Sequence, residues 1–344
     1  KALKLSNWES FEERRSEAQS RGKLRGIGMA CFVETAGGYL EEGAKIEFSD
    51  DGFVNAFLAV QSNGQGHQTS FAQVVSELLD VPFEKVRIIE GNSDNTPATG
   101  FASVASRSAA LASGALSVTI DSVIEKGRKL AGHIFETSAA DIEYSGGNFR
   151  ITGTDRAINI FELATKIKLL NNLPSYIPKS LDSEEDFTSP EQTYPNGCHI
   201  CEVEIDRDTG NIDLVDYYAV DDFGKIINPL LVAGQVHGGI VQGLGQAMCE
   251  HAIYEDETGQ LVNGSYMDYQ MPRADDFPHF NIEFNEDAEC TTNLLGAKGC
   301  GEAGTVASTT AYVNAVLNAL KDYNTEDLNM PINPKKVWEI INND

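Results

Sequence analysis

Four glycine-rich segments constrain the fold of this 344-residue chain more than any other feature of its sequence. They are "QSNGQGHQTSFAQ" (61–73), "TGFASVASRSAAL" (99–111), "INPLLVAGQVHGGIVQGLGQAMCE" (227–250) and "KGCGEAGTVAS" (298–308). Glycine lets the backbone turn sharply and approach other groups closely. The first turn of a helix also leaves N–H groups free to bind an anion. The pattern therefore predicts strands, a glycine turn and a helix in each half of the chain.

Each glycine segment also has an ordinary structural explanation when it is considered alone. Gly64 and Gly66 fit a tight turn between a strand and a helix, and a single GxG is not a dinucleotide-binding fingerprint. Arg107 fits the surface of a capped helix as well as it fits a phosphate contact. Five glycines crowd the helix expected at 229–251, and each costs about 1 kcal/mol relative to alanine, which indicates close approach of another backbone or a bulky ligand. Glu302 fits either a helix first turn or a base beside an anionic cofactor.

The composition excludes several classes of function. The formal net charge of -26 argues against binding to a nucleic-acid backbone. No run of about 20 apolar residues is present, so we expect no membrane span. No signal peptide is recognisable either, and the acidic balance favours a cytoplasmic protein. A hydrophobic content of 41% predicts an ordered chain with substantial cores.

The six cysteines are scattered along the chain and indicate no disulfide framework. Cys198 and Cys201, in "NGCHICEVEID", are the one pair with the spacing of metal ligands. The same run alternates like a strand, and no second CxxC pair follows. A structural strand is therefore favoured over a metal or redox role.

The coarse order of elements predicts an α+β fold rather than a doubly wound sheet, because no βαβ series repeats. Strands are expected at 26–38, 44–52, 53–62, 85–91, 198–206, 211–221 and 280–285, with a further strand pair near 253–263. Helices are expected at 6–26, 68–81, 106–135, 229–251, from 304 to about 320, and at 334–342. Residues 171–197 lack periodicity and are the best linker candidate. The predicted organisation is a connector helix at 1–25, a partial first lobe at 26–190 and a second lobe at 191–344.

Taken together and in this order, the segments resemble the molybdenum-binding large subunit of the xanthine oxidase family of molybdenum hydroxylases. The likeness is strongest to the carbon monoxide dehydrogenase and aldehyde oxidoreductase type, in the C-terminal half of that subunit. The matching segments are "GQGHQTSFAQVVSELL", "ASRSAA", "NGCHICEVEIDRDTGNI", "INPLLVAGQVHGGIVQGLGQAMCE", "GSYMDYQMPRADD" and "KGCGEAGTVASTTAYVNAV". The resemblance implies two mixed α/β lobes with a molybdenum cofactor in the crevice between them.

The resemblance also implies the cofactor and the residues around it. Molybdenum would be held by a pterin dithiolene, in the cytosine dinucleotide form expected for bacteria, with no direct ligand from the protein. Glu302 matches the catalytic glutamate of the family. The implied cofactor-binding residues are Gln65, Gly66, His67, Ser106, Arg107, Ser108, Gln235, Lys298, Gly299, Cys300 and Gly301.

The implied reaction is oxidation or hydroxylation of a small molecule, with water as the oxygen source and Glu302 as the base. Carbon monoxide, aldehydes, purines and N-heterocycles all remain open as substrates. The chain begins at what corresponds to the middle of the family's subunit, and it shows neither the cysteine set of a 2Fe–2S cluster nor an FAD motif. The expected partners are therefore the upstream half of the large subunit, an iron–sulfur small subunit and an FAD-binding medium subunit, without which activity is not expected.

Two alternatives from other classes stay open at this point. The first is a non-catalytic protein of the same fold that binds or assembles the pterin cofactor. Glu302 argues against it, because simple binding does not require that carboxylate. The second and weaker alternative is an acidic hydrolase. The sequence also leaves open whether the chain is a fragment or a naturally split subunit, its oligomeric state and the final electron acceptor.

Overall fold

The computed structural model describes residues 1–170, 172–288 and 290–342. Its helices are α1 (Ala2–Leu5), α2 (Phe11–Ser20), α3 (His67–Leu79), α4 (Ser108–Phe135), α5 (Ile160–Lys168), α6 (Pro229–Met248), α7 (Ala303–Ala319) and α8 (Pro334–Asn342). Its strands are β1 (Lys23–Val33), β2 (Glu41–Phe48), β3 (Val54–Leu58), β4 (Val86–Glu90), β5 (Ile142–Ser145), β6 (Asn148–Ile151), β7 (Ala157–Asn159), β8 (Ser183–Thr188), β9 (Asn196–Asp206), β10 (Ile212–Asp222) and β11 (Phe280–Phe284).

The first sheet has the strand order β4-β3-β2-β8. β3 and β4 are parallel and are joined by α3, whereas β2 pairs antiparallel with both β3 and β8. The long helix α4 packs on this sheet through a small-residue face. At Gly114 a Cβ atom would lie only 2.5 Å from the ring of Phe187 on β8. Small residues thus bring α4 close to the strands, and its first residue, Ser108, is placed at the edge of the site.

The second sheet has the order β1-β9-β10-β11, and α7 lies against β1. A Cβ atom at Gly28 of β1 would lie 2.2 Å from the carbonyl oxygen of Ala311, so strand and helix meet backbone to backbone. α6 packs on α7, and the core between these elements includes Val236, Ile240 and Tyr312. A third, antiparallel sheet of β5, β6 and β7 packs with α4 and α5 on the first core.

The structure confirms the α+β class and most of the predicted helices and strands, with shifts of a few residues at their ends. The predicted connector helix is shorter than expected, because β1 already begins at Lys23. The strand pair near 253–263 is wrong, since only a single bridge joins Tyr254 to Leu261. Among the described residues, no helix combines the length and the apolar character that crossing a membrane requires.

The linker prediction for 171–197 is wrong in part, because this range contains β8 and the first residues of β9. β8 reads "SEEDFT" and is mostly exposed, so it lacks the alternation that marks a half-buried strand. Its structure is fixed by pairing with β2, which the sequence does not show. The proposed lobe ranges stay a prediction, and β1 crosses them: it begins at Lys23, most of it lies within 26–190, and it pairs along its whole length with β9.

Candidate functional site: an anion-binding cavity with one carboxylate

A cavity of about 660 Å³ lies where the loops of the first half of the chain meet those of the second half. Ten of the twelve predicted site residues line it, namely Gln65, His67, Ser106, Arg107, Ser108, Gln235, Lys298, Cys300, Gly301 and Glu302. The other two lie beside the wall. A Cβ atom at Gly66 would lie 2.7 Å from Leu231, and one at Gly299 would lie 2.0 Å from the carbonyl oxygen of Ser106.

Four helices begin at this cavity, and three of them have no side-chain cap. α3 follows Gly66, α4 follows Arg107 and α7 follows Glu302, and in none of these does the N-cap side chain accept a first-turn N–H. α6 differs, because Asn228 Oδ1 accepts from the N–H of Leu231 at 3.1 Å. Uncapped helix N-termini present N–H donors and partial positive charge. The cavity is therefore suited to an anionic ligand with several oxygen acceptors.

The charges of the lining residues agree with this, although the chain as a whole is strongly acidic. Arg107, Lys225 and Lys298 line the cavity, and Glu302 is the one carboxylate among the described residues that do so. Lys298 is held by Asp222, with Nζ 2.8 Å from Oδ2. Lys225 is exposed, so its ammonium group is accessible to a ligand. In a protein of net charge -26, an exposed lysine at the cavity wall adds a local positive charge for an anionic ligand.

The guanidinium of Arg107 is directed into the protein rather than into the cavity. Its Nη1 lies 2.7 Å from Oε2 of Glu42, and both side chains are completely buried. The guanidinium also donates to the carbonyl oxygens of Tyr39, Glu41 and Phe101 at 2.9, 2.6 and 3.2 Å. Burial raises the pKa of Glu42 to about 6, and Arg107 acts in the opposite direction. Arg107 therefore fixes the loop before α4, and what it offers at the cavity wall is chiefly backbone.

His67 is similarly engaged at the start of α3. Its Nδ1 lies 2.8 Å from Oε1 of Glu90, and its ring packs against Phe71 with 4.8 Å between ring centroids. The pairing fixes the orientation of the imidazole at the wall. The Gln65 side chain folds onto its own turn, where its Nε2 donates to the carbonyl oxygen of Gln61 at 3.3 Å.

Ser106 and Glu302, which are 196 residues apart, are in direct contact. The N–H of Glu302 donates to Ser106 Oγ at 3.0 Å, and this hydroxyl donates to Oε2 of Glu302 at 3.3 Å. Ala105 and Ser106 both have left-handed backbones, with φ of 49° and 52°. Non-glycine residues rarely adopt this conformation, so surrounding contacts must hold it. One of these is the hydrogen bond from the N–H of Gly37 to Ala105 O at 2.9 Å.

The cysteines near the site are structural in character. Burial is the largest cause that raises the pKa of the Cys300 thiol to about 12, which keeps it protonated. Cys198 and Cys201 lie on β9, as predicted, and their odd spacing places them on opposite faces of the strand. Two side chains on opposite faces of one strand cannot ligate the same ion. Within the described residues, no cluster of His, Cys, Asp and Glu has the arrangement of a metal centre.

Sequence reasoning missed several residues that line the cavity, including Asn63, Lys225, Asn228 and Gln242. Asn228 had a usable signal, because Asn followed by Pro229 is typical of a helix start. Lys225 carries no local signal, and only the fold brings it to the wall. Gln242 belongs to the glycine-rich helix and reaches Thr305 of α7 with 3.2 Å between the side-chain oxygens.

Fold and cavity together define an anionic-cofactor-binding domain, and comparison with known proteins specifies the cofactor. The family model described as "Molybdopterin cofactor-binding domain" matches residues 1–278. The chain therefore belongs to the molybdopterin cofactor-binding domain family, and it corresponds to the molybdopterin-binding portion of molybdenum hydroxylases of the carbon monoxide and xanthine dehydrogenase type.

Individual relatives agree with this assignment. The chain is 32% identical over 337 residues to the 6-hydroxypseudooxynicotine dehydrogenase complex subunit gamma of Paenarthrobacter nicotinovorans, covering 98% of the chain and 42% of that protein. It is 31% identical over 344 residues to the carbon monoxide dehydrogenase large chain of Afipia carboxidovorans, covering 96% and 42%. The crystal structure of quinoline 2-oxidoreductase from Pseudomonas putida 86 matches with a TM-score of 0.89 and 31% identity, covering 99% of the chain and 44% of that structure. The chain thus spans less than half the length of these relatives.

Proposed function

We propose that this chain is the molybdenum-pterin-binding catalytic portion of an oxidoreductase that hydroxylates or oxidises a small substrate with water as the oxygen source. Carbon monoxide, an aldehyde, a purine and an N-heterocycle are the candidate substrates. The observation that carries the proposal is that, among the described residues, Glu302 is the one carboxylate lining a cavity otherwise suited to an anion. A carboxylate in such a position is explained better by proton transfer than by ligand binding.

The residues of the cavity fit a phosphate-bearing pterin group. The uncapped first turns of α3 and α4 would donate N–H groups to its phosphates, and Gln235 and Lys225 would add side-chain donors. Gly301, which lines the cavity, keeps its part of the wall free of a side chain. We expect the cytosine dinucleotide form of the cofactor. When bound, this group supplies the redox chemistry of the reaction, and the protein supplies binding, orientation and proton transfer.

Glu302 would act as the general base. Its position immediately before α7 places the carboxylate at the cavity, and its backbone N–H is held by Ser106 Oγ at 3.0 Å. A deprotonated Glu302 would accept the proton that the water-derived nucleophile loses, and Ser106 would hold the carboxylate in place. General-base assistance of this kind contributes roughly 10²–10⁴-fold to a rate.

We also propose that activity requires chain beyond these 344 residues. The matched relatives are more than twice as long, and two of them are named as a complex subunit and a large chain. The expected partners are the upstream half of the large subunit and the iron–sulfur and FAD-binding subunits. Purification of the native complex, followed by analysis of its polypeptides, iron and flavin, tests this composition.

Substitution of Glu302 tests the proposed function directly. In the assembled enzyme, Glu302→Gln preserves the size of the side chain but removes the base, so turnover should fall at least roughly 10²-fold. Molybdenum and pterin content should stay at the wild-type level, because the amide keeps the contact with Ser106. Glu143→Gln, on the exposed face of β5, is the matched control and should keep full activity.

Near-wild-type turnover of Glu302→Gln would remove Glu302 from the mechanism. A second outcome would favour the non-catalytic alternative, namely a wild-type complex that retains molybdenum and pterin but reduces no electron-accepting dye with any substrate of the four classes.

A further inference from the structure

A second carboxyl group, Glu34, lies close to Glu302. It immediately follows the last residue of β1, and its backbone N–H donates to the carbonyl oxygen of Pro195 at 2.9 Å. Both of its side-chain oxygens are buried, and neither has a hydrogen-bond partner within the described part of the chain. The groups that act on this carboxyl are Ser106 and Glu302. A buried carboxyl group without a partner is unusual and calls for a physical explanation.

Ser106 cannot satisfy both carboxylates. Its hydroxyl oxygen accepts from the Glu302 N–H, and its single proton is donated toward Oε2 of Glu302. If Glu34 and Glu302 were both ionised, two negative charges would share one donor, and the buried one would have no compensation. If Glu34 carries a proton, it becomes a donor itself, and the nearby acceptor is the carboxylate of Glu302.

The electrostatic surroundings favour the protonated form of Glu34. Burial is the largest cause that raises its pKa, and the charge of Glu302 acts in the same direction, whereas Ser106 opposes them. Cys300, on which the charge of Glu34 acts, is a neutral thiol. Lys298, the lysine of the turn at 298–301, is paired with Asp222. Two neighbouring carboxyl groups with different burial thus divide into one acid and one base.

We propose that Glu34 is a positioning residue that is held as a neutral acid and donates its O–H to the carboxylate of Glu302. This bond orients the carboxylate of the base and adds a donor to its ionised form. The inference rests on the proposed role of Glu302 as the base. It adds to that role a second carboxyl, which is not among the described residues that line the cavity.

Two variants of the assembled enzyme distinguish the protonation states of Glu34. Glu34→Gln replaces the acid by a neutral amide that can still donate, so the acid limb of the pH–rate profile should stay at the wild-type pH. Glu34→Leu removes the donor, so Glu302 should protonate more readily and the acid limb should move up by about one pH unit. Glu143→Gln is again the control and should leave the profile in place.

A readout independent of turnover uses the complex without its cofactor. In the infrared spectrum at neutral pH, the wild-type complex should show a protonated-carboxyl C=O band that is absent from Glu34→Gln and present in Glu143→Gln. This measurement also decides the matter if Glu34→Leu fails to fold.

Three results would overturn the proposal: an acid limb of Glu34→Gln that moves to lower pH, an acid limb of folded Glu34→Leu that does not move, or no such infrared band in the wild type. The first would mean that Glu34 is ionised, since its replacement would then remove a negative charge. A failure here differs from a failure of the base assignment, in which Glu302→Gln itself stays active.

Discussion

Glycine serves different purposes in the contact between α6 and α7 and in the turn at 298–301. Where the helices meet, Gly304 has no room for a side chain, because a Cβ atom would lie 2.5 Å from the carbonyl oxygen of Val236. Gly239 is similarly placed, 3.0 Å from the Cα atom of Gly304. In the turn, Gly299 lies against the backbone of Ser106, whereas Gly301 has its nearest neighbour 3.7 Å away.

The difference shows that one sequence signal can have two consequences. The crowded glycines of α6 predict a close approach, and at Gly239 and Gly243 the approaching group is α7. That contact serves the core of the second half. The glycine of the turn serves the site instead, since it lets Ser106 reach Glu302. Gly234 and Gly238 on the exposed side of α6 have no atom within 4 Å, and nothing in the described residues explains them.

The largest expected effect comes from filling the helix contact. Gly304→Ala places a methyl group against the backbone of α6, and neither helix can yield locally, so the subunit should lose about 3 kcal/mol of stability. Thermal or urea unfolding of the purified complex measures this loss. Gly238→Ala is the control in the same helix pair, and it should be stabilising by up to about 1 kcal/mol because its surroundings are open. Equal changes in the free energy of unfolding for the two variants would show that the contact between α6 and α7 leaves room for a side chain at Gly304.

A substitution in the turn at 298–301 should lower the stability less than Gly304→Ala does. It should lower the cofactor content more. In Gly299→Ala the new Cβ atom would overlap Ser106 O, so the loop must shift, at a cost of about 1 kcal/mol. Because Ser106 and Glu302 would move with it, most of the molybdenum content should be lost. Metal analysis beside an unfolding curve separates the two effects. Full molybdenum content in Gly299→Ala would contradict the proposed role of Gly299. So would a Gly301→Ala variant that lowers the stability of the protein as much as Gly299→Ala does.

The smallest effect is expected at the rim of the cavity. Lys225→Gln removes an exposed cation that lines the site, and exposed charges contribute little, so cofactor affinity should fall by about threefold. The loss should be most visible at low salt, where screening is weakest. Cofactor retention during dialysis at two salt concentrations measures it, with Lys321→Gln on the distant exposed surface as control. A salt-independent loss would indicate a structural role for Lys225 rather than an electrostatic one.

The features of the fold that could be predicted are those that depend on short stretches of sequence. The helix starts near His67, Ser108, Pro229 and Ala303 follow from glycine, cap and proline chemistry within a few residues, and the structure places each of them close to the expected position. The pairing of β8 with β2 was not predictable, because the acidic sequence of β8 has no strand periodicity of its own. Among the candidate site residues, the direction of Arg107 was not predictable either, because its buried partner Glu42 lies 65 positions earlier in the chain.

The sequence by itself determined the family of this protein and the positions of its glycine turns, because these depend on local backbone conformation and on an ordered set of segments. Only the tertiary structure decided that Ser106 contacts Glu302, that the guanidinium of Arg107 is buried, and that Glu34 lies close to the proposed base. Each of these facts joins residues far apart in the chain. Such contacts are fixed by the packing of α7 on β1 and α6 and of α4 on β2, and no local pattern encodes them.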